Sequence, residues 1–243
     1  GYNYIFLLCK HRVKGSVMKK IKKILHFIIS MPKTIYFNFK YLSVKDAIKL
    51  PILVSNRVFL ENVGGKILID GPVKFRMIKI GFSEPGLFDY KKNRSVWSNK
   101  GTIIFKGNAS LGSGTKIAID RESGKIIFGE NFTITANTQI WSRNRIEFGK
   151  NNLISWDNII MDTDSHKIYD KVSDNLLNID KEIKIGDNVW IGCRCTILKG
   201  TIIGDDTVIG ANSMVNGNYS KYNNVIIGGN PIGIKRECIY WKI

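Results

Sequence analysis

Residues 162–170 read DTDSHKIYD, a histidine set among three acids. Histidine suits the removal and return of a proton near neutral pH, which makes His166 the first candidate for general-base work. Such a base needs a carboxylate or carbonyl to orient its ring, and Asp157, Asp162 and Asp164 are near enough in sequence to do so. The cysteines offer less. Cys193 and Cys195 lack the two-residue spacer of a redox or zinc pair, and no histidine lies nearby. Together with Cys9 and Cys238 they read as small side chains in a reducing compartment, and no metal is expected.

The elements that must hold His166 are written in a six-residue beat. Phe105, Leu111 and Ile117 are six apart, as are Phe128, Ile134 and Ile140, and Phe148, Ile154 and Ile160. Ile185, Ile191, Ile197, Ile203, Ile209 and Val215 make five further steps of six. Gly follows at 186, 192, 204 and 210, and a small residue recurs at Val189, Cys195, Thr201, Thr207 and Ser213. A period of six fits neither a helix of 3.6 nor a lone strand of 2. It fits a coil whose wall changes every six residues, with one aliphatic side chain pointing inward per wall and Gly at a special backbone corner. One turn cannot bury its face alone, so turns stack as parallel strands around one narrow core.

Six residues past Ile160 an inward slot falls on His166, a poor core residue. The chain is therefore expected to leave the coil just before it, bulge out over 163–182, and rejoin at 183–185.

The stretches IGDNVWIGCRCTILKGTIIGDDTVIGANSMV (185–215) and IIGGNPIGIKRE (226–237), with the interruption carrying His166, resemble the hexapeptide-repeat acyltransferases over about residues 101–236. The resemblance implies a mainly β fold, a left-handed parallel β-helix, opposite in hand to ordinary crossovers. It implies a homotrimer, acetyl-CoA as acyl donor, and a loop histidine at an acceptor site between subunits. Trp190 then falls beside the acyl end of the donor. Cys193, Ala211 and Asn216 fall along the pantetheine arm, and Lys235 and Arg236 near the phosphates. The usual basic residue two after the motif's proline is replaced by Gly233. The stretch 137–149 is similar to the sugar-contacting stretch of galactoside acetyltransferases. It retains Asn137 but carries Ser142-Arg143 in place of an acidic pair. Asn137, Ser142, Arg143 and Asp164 are thus the expected acceptor-binding residues.

Charge is uneven along the chain. The net charge is +17, and residues 1–50 hold eleven Lys/Arg against one acid, Asp46. A basic surface serves nucleic acid, an anionic membrane or an acidic ligand, and without a nucleic-acid motif that partner is not expected. Ile21, Ile24, Leu25, Ile28 and Ile29 mark one helical face, flanked by Lys19, Lys20, Lys22 and Lys23. This face fits either an anionic bilayer or the end of the main domain. Ser43–Asp46 reads as a capping box for a second short helix. The organisation expected is a short basic helical segment (1–50, with 1–17 a possible extension before Met18), an irregular β start with an unstructured excursion (51–100, the excursion at 81–100), the repeat (101–236) and a tail (237–243).

The function expected is an O-acetyltransferase acting on a sugar hydroxyl of a surface-polysaccharide or lipid-linked precursor. Its expected place is cytoplasmic, at most peripheral on the inner membrane face. The alternatives are acetylation of an amino sugar or antibiotic, or a non-catalytic scaffold. A zinc hydratase on the same coil would need three histidines, and the repeat carries one.

Overall fold

A computed structural model describes residues 2–82, 86–89 and 92–242, with side chains described for Met18 and from Lys20 onward. Part of the 81–100 excursion, residues 83–85 and 90–91, lies outside that description, as does the Cys9 side chain.

The chain winds into a three-walled coil. Nine strands stack in the first wall and seven in each of the other two. All wall pairings are parallel except the last, where Gly233–Arg236 turns back antiparallel on Ile226–Gly228. Register carries the beat from turn to turn. In the second wall Ile117, Ile140, Ile160, Ile197 and Val215 are successive partners, all buried. In the third, Phe105, Phe128, Phe148, Ile185 and Ile203 form a ladder whose phenyl rings stack at 5.2 and 5.8 Å. Each such side chain contributes ~1.5–3 kcal/mol of burial.

Three of the repeated glycines, Gly186, Gly192 and Gly204, act by closeness rather than by an unusual φ, whereas Gly210 has only ordinary contacts. A Cβ on Gly204 would lie 2.2 Å from the Tyr222 carbonyl oxygen. Positive φ falls two residues after each glycine, on Asn188, Arg194, Asp206 and Asn212. The backbone role expected of glycine is thus taken by short polar residues and one arginine.

Two expectations about the N-terminal part are corrected. Within 81–100, Ser95–Asn99 is a strand of the second wall, and Trp97 is fully buried. The aperiodic appearance arises because Trp97 fills its inward slot outside the aliphatic beat. The helix is also far longer than 18–31. One helix, α1, spans Tyr2–Tyr41 with Pro32 inside it. An interior proline costs ~3 kcal/mol by removing one bond and crowding the preceding turn, and anchors on both sides of Pro32 offset that cost.

Those anchors are polar. Strand Ile52–Val54 begins the first wall and pairs on one side with Ile78–Ile80. On its other edge, Asn38 Nδ2 donates to the Ile52 carbonyl (2.7 Å) and Asn38 Oδ1 accepts from Ile52 N (3.1 Å). Thr34 Oγ1 donates to the Val54 carbonyl and accepts from Val54 N, at 3.1 and 3.0 Å. Ser30 Oγ accepts from Asn56 N at 3.0 Å. Four helical residues rise ~6 Å and two strand residues ~6.6 Å, so every fourth helix residue meets every second strand residue. The helix thereby closes the sheet edge with side chains. The second helix, α2 (Val44–Ala47), lacks the reciprocal capping expected of it, because the Ser43 hydroxyl donates to Asp46 Oδ2 instead.

Candidate active site

The second wall delivers Ile159–Met161 to the corner it shares with the third wall, and the regular coil stops there. It resumes with Ile183–Ile185, paired to Ile146–Phe148. The neck of the intervening loop closes where Lys181 N donates to the Asp162 carbonyl at 3.2 Å.

Asp162 is fully buried at this neck. Its carboxylate accepts from Ser142 Oγ (2.7 Å), Arg143 N (2.8 Å) and Asn144 N (3.0 Å). Burial pushes its pKa up, and these hydrogen bonds pull against that shift. Asp164, two residues on, is exposed and accepts from Lys199 Nζ and from Asn178 Nδ2 (3.0 Å). The Lys199 hydrogen bond holds its pKa below the usual carboxylate range. Asn178 also donates to the His166 carbonyl at 2.7 Å. The loop is thus tied back at Asp162, Asp164 and His166, and the imidazole of His166 stands exposed at its base.

Arg143 braces the same point. Its Nε and Nη2 donate to Asp120, each within 2.8 Å of Oδ2, and its Nη1 donates to the Ser165 carbonyl at 2.7 Å. The guanidinium also lies 5.2 Å from the Trp141 ring centre. Ser165 has φ +68°, a left-handed turn directly before His166.

Several expected roles change against this geometry. Ser142 is fully buried, with its hydroxyl committed to Asp162 and the Lys125 carbonyl, so it cannot face an acceptor. Arg143 is engaged by Asp120 and the Ser165 carbonyl, and Asp164, though exposed, is engaged by Lys199 and Asn178. None of the three candidate carboxylates is bonded to the His166 ring within the chain. Asp162 serves the neck, Asp164 serves Lys199, and Asp157 accepts from Asn137 Nδ2. Sequence reading missed Asp120, Asn178 and Lys199, because nothing short-range links them to His166.

Asn137 stands elsewhere, at the corner between the first and second walls. It has φ +48° and joins Asn93, Lys116 and Asp157 in a polar ladder along that corner. Burial pushes the Lys116 pKa down, against the pull of Asp157. Cys193 and Ala211 follow on the same corner one turn apart, with Asn212 N donating to the Cys193 carbonyl at 2.8 Å. Trp190 sits on the first wall, partly exposed, and its Nε1 donates to Ser155 Oγ at 3.1 Å. Trp241 of the tail lies 6.0 Å from it. Asn216 is exposed at the end of the second wall, and Lys235 and Arg236 are exposed on the returning strand with no acidic partner among the described residues. Two groups therefore form on one chain: His166 with its braces at one corner, and Asn137, Cys193 and Ala211 at another. The Cys195 thiol is fully buried against the Gly210 carbonyl, and burial raises its pKa.

Residues 182–217 match the family model described as bacterial transferase hexapeptide (six repeats). Over 148 residues the chain is 34% identical to a putative lipopolysaccharide biosynthesis O-acetyl transferase, WbbJ, of Escherichia coli K12, covering 57% of this chain and 74% of that one. It is 31% identical over 107 residues to a galactoside O-acetyltransferase of Lactococcus lactis, covering 44% of this chain and 47% of the relative, about half its length. Among solved structures, that of the polySia-specific acetyltransferase NeuO superposes with a TM-score of 0.58 at 22% identity, covering 77% of this chain and 90% of that one. That likeness bears on the fold, a left-handed parallel β-helix. With its three stacked walls of six-residue repeats and the interruption at His166, the chain belongs to the hexapeptide-repeat acyltransferase family.

Proposed function

We propose that this protein transfers an acetyl group from acetyl-CoA to a hydroxyl of a sugar in a surface-polysaccharide or lipid-linked glycan precursor, with His166 as general base. The observation that carries the reading is the exposed His166 in the 162–182 interruption of the coil, held from both sides by Arg143 and Asn178. The name of one relative, a putative lipopolysaccharide biosynthesis O-acetyl transferase, supports a glycan acceptor.

In the proposed reaction, imidazole takes the proton of the acceptor hydroxyl as its oxygen attacks the thioester carbonyl. The C–O bond forms, the C–S bond breaks, and the imidazolium returns its proton to the departing thiolate. The donor lies along the corner of Cys193 and Ala211, where small side chains leave room, with Trp190 and Asn216 beside it. Lys235 and Arg236 meet its phosphates. Acetyl-CoA carries the activated acyl group, so no enzyme nucleophile is required.

Asn137 and the donor corner lie away from His166 on one chain, so the site is completed by a second copy in a homotrimer. The outer face of the second wall supports this. Trp141, Met161 and Leu198 are in register along it, beside Ile159 (39% exposed) and Met214 (45% exposed). A flat apolar face of this kind suits threefold association. Light scattering of the purified protein checks the trimer.

The test of the reaction is CoA release from acetyl-CoA over a panel of sugars and lipid-linked saccharides, comparing wild type with His166→Ala. Release that requires both an acceptor and His166 supports the reading. Release that needs only an amino-sugar or antibiotic amine redirects it to N-acetylation. Absence of acetyl-CoA binding by calorimetry leaves a scaffold.

A further inference from the structure

The N-terminal helix is amphipathic in an inverted sense. Its face against the coil carries Ser30, Thr34, Phe37 and Asn38, all fully buried, and three of these four are polar. They are polar because they must satisfy the open edge of strand Ile52–Val54. The apolar residues consequently point away from the protein. Met18, Ile21, Ile24, Leu25, Ile28 and Ile29 are each more than half exposed, and Ile35, Tyr36 and Phe39 continue the face past Pro32.

We propose that this face lies in the surface of an anionic bilayer and docks the enzyme there. The apolar stripe is far longer than the scattered exposed aliphatics of ordinary surfaces. The charge beside it selects the occupant: Lys20, Lys22 and Lys23 are all exposed within the same two turns, and the first 50 residues carry ten net positive charges. A partner copy would set those charges against their like, whereas anionic headgroups neutralise them. Among the described residues no helix is long and apolar enough to cross a membrane, so the helix lies in the interface plane. The docking face is opposite the coil-facing residues, so binding leaves the strand-edge hydrogen bonds in place. It would hold the coil beside a bilayer, where a lipid-linked acceptor is presented in two dimensions.

The test is co-sedimentation of the full chain with sucrose-loaded vesicles, either of phosphatidylcholine alone or with phosphatidylglycerol added. Wild type is expected to partition at least tenfold more strongly onto the anionic vesicles, and to release at high salt. Ile24→Glu/Ile28→Glu is expected to abolish partitioning with an unchanged melting temperature and particle mass. Lys20→Gln/Lys22→Gln/Lys23→Gln is expected to weaken it by about fivefold per lysine, the equivalent of ~1 kcal/mol each. Equal partitioning onto both vesicle types, or none, overturns the proposal. So does a fall in particle mass for the glutamate variant without vesicles, which would make the face a contact between copies. Acetyl transfer to a soluble acceptor is the separate readout of the proposed reaction and is expected to survive both sets of substitutions.

Discussion

The regular turns at 183–215 and the interruption at 162–182 are held by different chemistry. In the turns, neighbouring backbones bond to one another and each inward slot is filled by an aliphatic side chain. Gly192 N donates to the Ile209 carbonyl, and Gly210 N to that of Ile227, both at 2.8 Å. In the interruption there is little backbone pairing, and three carboxylates take the load: Asp162 at the neck, Asp164 on Lys199, and Asp170 on Val172 N and Ser173. The difference shows how a rigid repeat can carry the proposed general base. The coil sets the position of the neck, and charge-assisted hydrogen bonds shape the loop that leaves it. Stability resides chiefly in the turns, and the proposed catalytic geometry in the loop.

The largest effect expected from testing that division is on His166. His166→Ala should lower kcat by ~10²–10⁴ with an unchanged thermal melt, because the residue is exposed. A melt that falls with the rate would give the histidine a structural part. The counterpart in the turns is Ile197→Ala, which should cost ~2–5 kcal/mol of stability in denaturant titration and leave kcat per folded molecule within about twofold. If it alters kcat strongly at full folding, the turns and loop are not separable.

Asp162 joins the two regions. Asp162→Ala leaves the Arg143 and Asn144 amides without their acceptor and the Ser142 hydroxyl with only the Lys125 carbonyl. It should cost ~1–3 kcal/mol and also speed hydrogen exchange across 163–182. Arg143→Gln tests the brace more narrowly. It removes the hold on the Ser165 carbonyl, and a misplaced base should lose ~10-fold or more in kcat, with little change in the KM for acetyl-CoA. A rise in acceptor KM alone would return Arg143 to acceptor binding.

The smallest effect is in pH. Asp164 has a lowered pKa, so its contribution is present above the unfolded value near 4 and is lost as pH falls through the folded value. Asp162 has a raised pKa, so between its unfolded and folded values stability falls as pH rises. Proteolysis of the 163–182 loop should therefore increase below about pH 4 in wild type, and Asp164→Asn should remove that acid-sensitive component. A wild-type loop indifferent to acid would exclude Lys199–Asp164 as a tether.

The six-residue beat determined the coil by itself, because one inward side chain per wall is a local rule that every turn repeats. It also determined where the coil breaks, because an imidazole cannot occupy an aliphatic slot. The strand at Ser95–Asn99 escaped because Trp97 fills its slot with an aromatic ring outside the beat. What holds the loop was invisible in the sequence. Asp120, Arg143 and Lys199 are remote in the chain from His166 or Asp164, and their pairing depends on which residues successive turns bring to one corner. The exposed apolar face of the N-terminal helix was likewise a tertiary decision. The spacing of the isoleucines gave an amphipathic helix but no orientation. The orientation followed from the open strand edge, whose N–H and C=O groups required Ser30, Thr34 and Asn38 on the inside and so left the apolar side facing out.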